Sequence, residues 1–222
     1  MTPEARDEAY MRRALELARH AEEAGEVPVG ALVVLNDEIN SARNVTKTDA
    51  LRLQTFRSRE YGQMGVVDRD RVVFFSQITQ RTNERVEFDV SKVTELPRVD
   101  VIMVYQGAPG DLIKSAVDHG AKGIVMATAG AGATSGTQNE GLAYAAQKGV
   151  FVVNSTRTGS GRIAPPRGDF PAAAQANEAQ RRRRQFSIAG EDHTPVKARV
   201  LLMLALTRTT DRAEIQRIFS EY

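Results

Sequence analysis

The chain of 222 residues contains no cysteine, which excludes disulfide bonds and thiolate-ligated metal centres but is compatible with any redox compartment. It also has no run of 18 apolar residues, so the sequence predicts no membrane-spanning helix. Residues 1–7 are charged and lack the apolar segment of a signal peptide, so we expect a cytoplasmic protein. A net charge of only +2 argues against a broad nucleic-acid-binding surface.

The hydrophobic fraction of 41% is ordinary, and it is sufficient for one large domain or two small ones. The first part of the chain predicts an amphipathic helix over residues 3–24, which begins after the cap residue Thr2 and ends at Gly25. After Pro28, residues 31–35 form an unbroken apolar run that is typical of a strand buried on both faces.

This strand is interrupted by the polar pair at positions 36–37, and the chain then reaches Lys47 in a predicted loop. Thr46, Thr48 and Asp49 lie beside that lysine in the sequence. A lysine held near apolar walls can lose its proton near neutral pH and activate a neighbouring hydroxyl group. The alternative is a solvated surface lysine, and these residues alone do not decide between the two.

Residues 65–75 predict a hairpin arm, because two short apolar runs flank a polar turn. Residues 77–95 are polar and aperiodic, which is typical of a linker and places a domain boundary near Pro97. Beyond it, predicted strands at 99–105, 123–127 and 150–154 alternate with predicted helices at 111–119, 140–148, 195–207 and 211–219. The predicted fold class is therefore α/β: an N-terminal helix and buried strand with a hairpin arm, then a small doubly wound parallel-sheet domain.

The glycine-rich stretch at residues 129–137 lies between a predicted strand and a predicted helix. In parallel sheets, backbone N–H groups and hydroxyls at this position commonly bind a carboxylate or another anion. Thr134 and Ser135 are the candidate ligand-binding hydroxyls, although a single glycine-rich loop is weak evidence. A phosphate-binding loop is not indicated, because no Gly-Lys-Ser/Thr follows.

Residues 157–193 are rich in Gly, Pro, Ala and Arg, which predicts a long loop or a partly disordered insert. The run Arg181 to Arg184 favours a solvated face over an RNA contact. His193 precedes Thr194 and Pro195, so we interpret it as part of a helix N-cap and not as a catalytic base.

Several segments carry a family resemblance. In chain order they are Asn44-Val45-Thr46-Lys47-Thr48-Asp49, Phe88-Asp89-Val90-Ser91-Lys92, Asp118-His119-Gly120-Ala121-Lys122-Gly123, Lys197-Ala198-Arg199-Val200-Leu201-Leu202, and the end of the chain from Ile215 to Tyr222. Taken together, they resemble the second half of the bacterial L-asparaginase/glutaminase family, in the same order, from about residue 32 to residue 222.

The resemblance implies an amidohydrolase that converts L-asparagine, or L-glutamine, into the acid and ammonia. In that family the lysine of the matching motif belongs to a Thr-Lys-Asp catalytic group, so Lys47 is the catalytic residue carried over. Family members are homo-oligomers, and a glutamate from the region matching 157–193 reaches a neighbouring subunit's site. Glu178 is a candidate for that glutamate by position only. We expect no cofactor and no metal.

The family's nucleophilic threonine lies in a Thr-Gly-Gly-Thr motif, and its partner threonine and aspartate lie in a Gly-Thr-Asp-Thr motif. Neither motif occurs in this sequence. Within residues 1–31, two stretches carry another resemblance: Tyr10-Met11-Arg12-Arg13-Ala14-Leu15-Glu16-Leu17-Ala18 and Glu26-Val27-Pro28-Val29-Gly30-Ala31. They resemble the start of the tRNA adenosine deaminase family. That family's zinc ligands and catalytic glutamate are absent here, which excludes its chemistry.

The sequence thus predicts an N-terminal helical segment at 1–31, a partial asparaginase-like region at 32–96 and a C-terminal α/β domain at 97–222. The leading hypothesis is an asparaginase-class protein with weak or no hydrolysis, because its catalytic group is incomplete. The alternative is a non-catalytic, fused or truncated α/β oligomerisation module. A third hypothesis, RNA binding through the first helix and the arginine run, is less favoured, so nucleic acid is an unlikely partner.

Overall fold

The structure is a computed structural model that describes residues 32–35, 37–68, 71–76, 88–166 and 176–222. The chain divides into two compact units, residues 1–87 and 88–222. The helix expected at residues 3–24 lies outside the described residues. The domain boundary expected near Pro97 stays a prediction.

The first unit contains a four-stranded antiparallel sheet, in the order β1-β2-β5-β6, and a separate two-stranded hairpin, β3-β4, among its described residues. The strands are β1 (Leu32–Leu35), β2 (Glu38–Ser41), β3 (Thr46–Lys47), β4 (Phe56–Arg57), β5 (Gly65–Asp68) and β6 (Arg71–Phe74).

Strand β1 pairs with β2 from Leu32 with Ser41 to Leu35 with Glu38, and Asp37, just before β2, has a φ of 64°. The strand predicted from the apolar run at 31–35 is therefore present as β1, and its partner is antiparallel. The predicted hairpin is confirmed as β5 and β6, which pair from Gly65 with Phe74 to Asp68 with Arg71. It is joined to β2 in the same sheet and is not a free arm.

The second unit contains a four-stranded parallel sheet in the order β10-β9-β8-β7 among the described residues. Its strands are β7 (Val99–Met103), β8 (Gly123–Thr128), β9 (Phe151–Thr156) and β10 (Ser187–Ala189). Its helices are α1 (Asp111–Asp118), α2 (Gln138–Gln147), α3 (Glu178–Gln185), α4 (Pro195–Arg208) and α5 (Arg212–Glu221). The predicted alternation of strands and helices after Pro97 is thus confirmed.

Helices cover both faces of this sheet. On one face, Val125 and Val153 pack against Leu202 of α4 and Phe219 of α5. On the other, Ile124 and the helices α1 and α2 enclose a second apolar cluster. Strand β8 is buried at all six residues, which explains its continuous apolar sequence.

The predicted α/β class, with a parallel sheet flanked by helices, is confirmed for this unit. Its strand order follows the chain order without a reversal among the described strands. The second face is covered because α4 and α5 follow the last strand and pack back onto the sheet. Since all four strands are parallel, the loops after them lie at one edge, which is where ligands bind in open α/β sheets.

The prediction of a long loop over residues 157–193 was also wrong in part, because α3 and β10 lie within it. Helix α3 begins with a reciprocal cap, in which the Asn177 side chain accepts from the Gln180 N–H and the Gln180 side chain accepts from the Asn177 N–H. No helix in the described part of the chain is long and apolar enough to span a membrane.

Candidate functional site

Lys47 lies in β3, where it pairs with Phe56 of β4. It belongs to a short strand and not to the predicted loop, and its side chain is exposed, as in the alternative of a solvated surface lysine. Lys47 lies in a strand because the residues before and after positions 50–54 pair with each other and form the hairpin β3-β4. Its catalytic role stays a prediction.

The hydroxyl groups beside Lys47 fix this hairpin. Thr48 donates to the Thr55 carbonyl oxygen twice, from its N–H at 2.6 Å and from its Oγ1 at 2.8 Å. Thr55 Oγ1 accepts from the Asp49 N–H at 3.0 Å and donates to the Asp49 carbonyl oxygen. The backbone that presents Lys47 is therefore preorganised by threonine side chains.

Asp49 is the carboxylate nearest in sequence to Lys47, and it also has a structural function. Its Oδ1 accepts hydrogen bonds from the N–H groups of Leu51 at 2.9 Å and Arg52 at 3.0 Å. These two bonds, with smaller contributions from the positive charges of Arg57 and Lys47, lower the pKa of Asp49. Asp49 is thus ionised over the physiological range while it holds the turn closed.

The depressed pKa makes the hairpin sensitive to acid. A carboxyl whose pKa is lower in the folded state stabilises that state above its unfolded-state pKa and loses this effect as pH falls through the folded-state value. We expect a ¹³C NMR titration of Asp49 to give a midpoint below that of an ordinary aspartate. Hydrogen exchange of the Leu51 and Arg52 amides should become faster as the pH falls through this range. In the variant Asp49→Ala, the same amides should already exchange faster than in the wild type at neutral pH. A normal Asp49 midpoint would contradict this description of the turn.

The second candidate region, residues 129–137, follows β8 and leads into α2. Ser135 Oγ accepts from the Gly107 N–H at 3.0 Å, and Thr137 Oγ1 accepts from the Gly110 N–H at 2.9 Å. Thr134 Oγ1 donates to Asn139 Oδ1 at 2.9 Å. The hydroxyls of Thr134 and Ser135 thus fasten this loop to its surroundings, and a direct contact with substrate stays a prediction.

Sequence reasoning missed Gln138, which connects this loop to β7. The side chain is buried, its Nε2 donates to the Met103 carbonyl oxygen at 3.1 Å, and its Oε1 accepts from the Ser135 N–H at 3.3 Å. Gly136 is required nearby, because its φ is +50° and a Cβ there would lie 2.4 Å from the Ala108 carbonyl oxygen. A polar residue beginning a helix right after a glycine-rich loop was the only signal in the sequence.

Glu191 is a second residue that the sequence did not reveal. It follows β10, adopts a φ of 54° and is buried, with Ser220 Oγ donating to its Oε1 at 2.9 Å and Arg162 Nε donating to its Oε2. Three separate segments therefore meet at this carboxylate. The Glu191 carboxylate thus connects the loop after β9 with α5. This connection lies at the carboxyl edge of the parallel sheet, where residues 129–137 also lie.

His193 lies beside this carboxylate in the sequence, one residue before Thr194, the N-cap of α4. The histidine is buried, with Nδ1 3.1 Å from the Gly190 carbonyl oxygen and its ring edge-on to Phe219. Its environment is that of a structural residue.

The arginine run was expected to form a solvated face, and Arg181, Arg182 and Arg184 are exposed while Arg183 is half-buried. Three of the four side chains also donate hydrogen bonds within the protein. Arg181 donates to the Ala176 carbonyl oxygen at 2.9 Å, and Arg182 donates to the Ala146 carbonyl oxygen at 3.2 Å, at the end of α2. Arg183 Nη1 donates to Asn139 Oδ1 at 2.8 Å, and its partial burial lowers its pKa. Asn139 Oδ1 also accepts from Thr134, so Arg183 is linked to the glycine-rich loop through one shared acceptor.

Glu178 is the first residue of α3, and its side chain is exposed. Its proposed reach into a neighbouring subunit stays a prediction. Among the described residues, no group of three or more His, Asp or Glu side chains is placed to hold a metal ion.

Two family models match the chain. The model described as Glutaminase/Asparaginase C-terminal domain matches residues 98–219, and the one described as Asparaginase, N-terminal matches residues 6–80. The resemblance noted from residue 32 onward is confirmed. The resemblance of residues 1–31 to tRNA adenosine deaminases receives no support, and the N-terminal asparaginase match covers most of that segment.

Similar proteins agree with these matches. The chain is 43% identical to L-asparaginase 2 of Bacillus subtilis, in a match that covers 87% of this chain and 48% of that protein. It is 37% identical to L-asparaginase 2 of Escherichia coli, in a match that covers 87% of this chain and 52% of that protein. A crystal structure of a probable cytoplasmic L-asparaginase from Campylobacter jejuni matches with a TM-score of 0.74 and 37% identity, covering 86% of this chain and 57% of that one. The chain spans about half the length of the curated relatives it matches.

Proposed function

Because the chain belongs to the glutaminase/asparaginase family, we propose that it participates in hydrolysis of the side-chain amide of L-asparagine or L-glutamine. The observation that carries the proposal is the match of the C-terminal family domain to residues 98–219, together with 43% identity to a protein named L-asparaginase 2. The parallel sheet, with its glycine-rich loop fixed at the carboxyl edge, is consistent with it.

The reaction consists of attack by a hydroxyl group on the amide carbon, release of ammonia and hydrolysis of the resulting ester by water. Lys47, in its neutral form, would take a proton from a hydroxyl during the first step. The hairpin supports this proposal because it holds the Lys47 backbone through Thr48, Thr55 and Asp49. Asp49 Oδ1 accepts from two backbone N–H groups, and the family motif that carries the lysine's partner aspartate does not occur in this sequence, so we assign Asp49 to holding the turn.

We further propose that the chain by itself hydrolyses amides slowly or not at all. The two motifs that hold the nucleophile and the lysine's partners in this family do not occur in its sequence. Groups that act together in catalysis lose most of their effect when one is missing.

The proposal can be tested by supplying the missing motifs on a second chain. The part of Bacillus subtilis L-asparaginase 2 that this chain does not match is mixed with it, and ammonia release from L-asparagine and L-glutamine is measured. We expect the mixture to release ammonia faster than the sum of the two separate components. The same part mixed with the remainder of its own enzyme is the positive control. If that control gains activity while the mixture with this chain does not, the proposal fails.

A second candidate function, a non-catalytic oligomerisation module, is favoured by one observation. Strand β7 is at an edge of the parallel sheet among the described strands, and the side chains of Val101, Met103 and Tyr105 at this edge are exposed. Exposed apolar side chains on an edge strand are typical of association surfaces. Sedimentation of a monomer at high protein concentration would remove this candidate.

A further inference from the structure

A cavity of about 720 Å³ opens at the amino-terminal edge of the parallel sheet. Arg98, Lys122 and Phe151 line it, and each lies at or just before the first residue of β7, β8 or β9. The glycine-rich loop follows the opposite ends of these strands. Strand β8 has six residues, so the two edges are roughly 17–20 Å apart and the cavity is separate from the glycine-rich loop.

Two cationic residues, Arg98 and Lys122, line this cavity, and their side chains retain hydrogen-bonding capacity. Arg98 Nε donates to Asp100 Oδ2 at 2.8 Å and its Nη1 donates to the His119 carbonyl oxygen at 3.1 Å. Its Nη2 has no partner within the described part of the chain. The Lys122 N–H donates to the Arg98 carbonyl oxygen at 2.8 Å, which places the two residues side by side. The Lys122 ammonium has no ion pair with any described residue.

The remaining walls are largely apolar. Leu96 and Pro97 contribute one side, and Leu206 and the buried Phe151 contribute another. Gly120, with a φ of +87°, also lines the cavity, and a Cβ at that position would have no atom within 4 Å, so the space beside it is open. A concave site of this volume, with apolar walls and a few convergent polar groups, has the usual composition of a small-molecule site.

We propose that this cavity binds a small monocarboxylate with an apolar body. The carboxylate accepts hydrogen bonds from the Lys122 ammonium and Arg98 Nη2, and the apolar body packs against Leu96, Phe151 and Leu206. Glu95 also lines the cavity and would favour an amine, so the test has to compare both charges. The inference does not depend on amide hydrolysis.

The test is an ¹H–¹⁵N NMR titration of the full chain with 3-phenylpropionate, its neutral analogue 3-phenylpropanamide and the cation phenethylamine. We expect saturable shifts of the Gly120 and Gly149 amide resonances with 3-phenylpropionate. The Kd of the neutral analogue should be higher by about fivefold or more, which is the effect of one partly solvated ion pair. Absence of saturable shifts with 3-phenylpropionate, or equal or tighter binding of either other probe, would overturn the proposal.

Variants locate the site. Lys122→Met should raise the Kd for 3-phenylpropionate by about fivefold or more. Lys148→Met should leave it unchanged, because Lys148 is an exposed lysine at the end of α2 that does not line the cavity. Thr210→Trp, at an exposed lining position, should fill the cavity and abolish binding while the far-UV circular dichroism spectrum is retained. Equal effects of the two lysine variants, or unchanged binding by Thr210→Trp, would contradict the assignment.

Discussion

Ammonia release from L-asparagine by this chain alone is expected to be at least about a thousandfold slower than by Bacillus subtilis L-asparaginase 2 at the same molar concentration. The physical reason is the missing hydroxyl nucleophile. In the proposed reaction Lys47 would accept a proton from a hydroxyl placed against the substrate amide, and no Thr-Gly-Gly-Thr motif supplies that hydroxyl in this sequence. Without that group, water would have to attack the amide directly, with no covalent intermediate.

The measurement is a coupled ammonia assay over several hours, with L-asparagine and L-glutamine as separate substrates. A blank without protein sets the background rate, and the relative from Bacillus subtilis sets the upper reference. A rate within tenfold of that reference would show that another hydroxyl of this chain serves as the nucleophile. The hydroxyl-bearing residues Thr46 and Thr48, beside Lys47, would then be the first to replace.

Replacing Leu202 by alanine is expected to lower the free energy of unfolding of the second unit by about 3–5 kcal/mol. The side chain is fully buried in the cluster between the sheet and helices α4 and α5. It also packs directly on the backbone of β8, since a Cβ at Gly123 would stand 2.4 Å from Leu202 Cδ2. Truncation therefore opens a cavity against a rigid strand that cannot collapse into it.

Guanidinium chloride unfolding followed by far-UV circular dichroism measures this change. Val200→Ala is the matched control, because Val200 is on the same helix and its side chain is 52% exposed. We expect that control to change the free energy of unfolding by less than about 0.5 kcal/mol. Equal losses for both variants would contradict the packing of α4 described here.

The sheet of the second unit was predictable because its strands are buried. Residues 123–128 are apolar almost throughout, as a strand covered on both faces requires, and the helices between strands have their own apolar spacing. Strand order was not predictable in the same way. Local patterns do not encode whether the order reverses, and here the last two helices cover the second face after the final strand.

Short elements escaped prediction for a different reason. Helix α3 is charged along most of its length and has no buried residue, so hydrophobic periodicity could not reveal it. Its stability depends on the reciprocal Asn177 and Gln180 cap and on arginine contacts to α2, which are tertiary features. The contacts of the arginine run could not be predicted for the same reason. The sequence shows the positive charges, but it does not show which carbonyl oxygens accept hydrogen bonds from the guanidinium groups.

The motif around Lys47 could be identified from the sequence, whereas the contacts of its hairpin could not. Lys47 was identified through a family resemblance, while the pairing of Thr48 with Thr55 depends on residues that are not adjacent in the chain. Gln138 and Glu191 are ordinary polar residues in the sequence, and only the fold brings them to buried partners. Long-range hydrogen bonds of this kind have no local signature.

We propose that Lys47 is the catalytic group that this chain contributes to amide hydrolysis. The most direct test measures ammonia release by the mixture with the unmatched part of Bacillus subtilis L-asparaginase 2, using the wild-type chain, Lys47→Ala and Lys92→Ala. Lys92 is an exposed lysine of the second unit and serves as the control. We predict that Lys47→Ala reduces the rate to background while Lys92→Ala retains it. Equal rates for the wild-type chain and Lys47→Ala would contradict the claim.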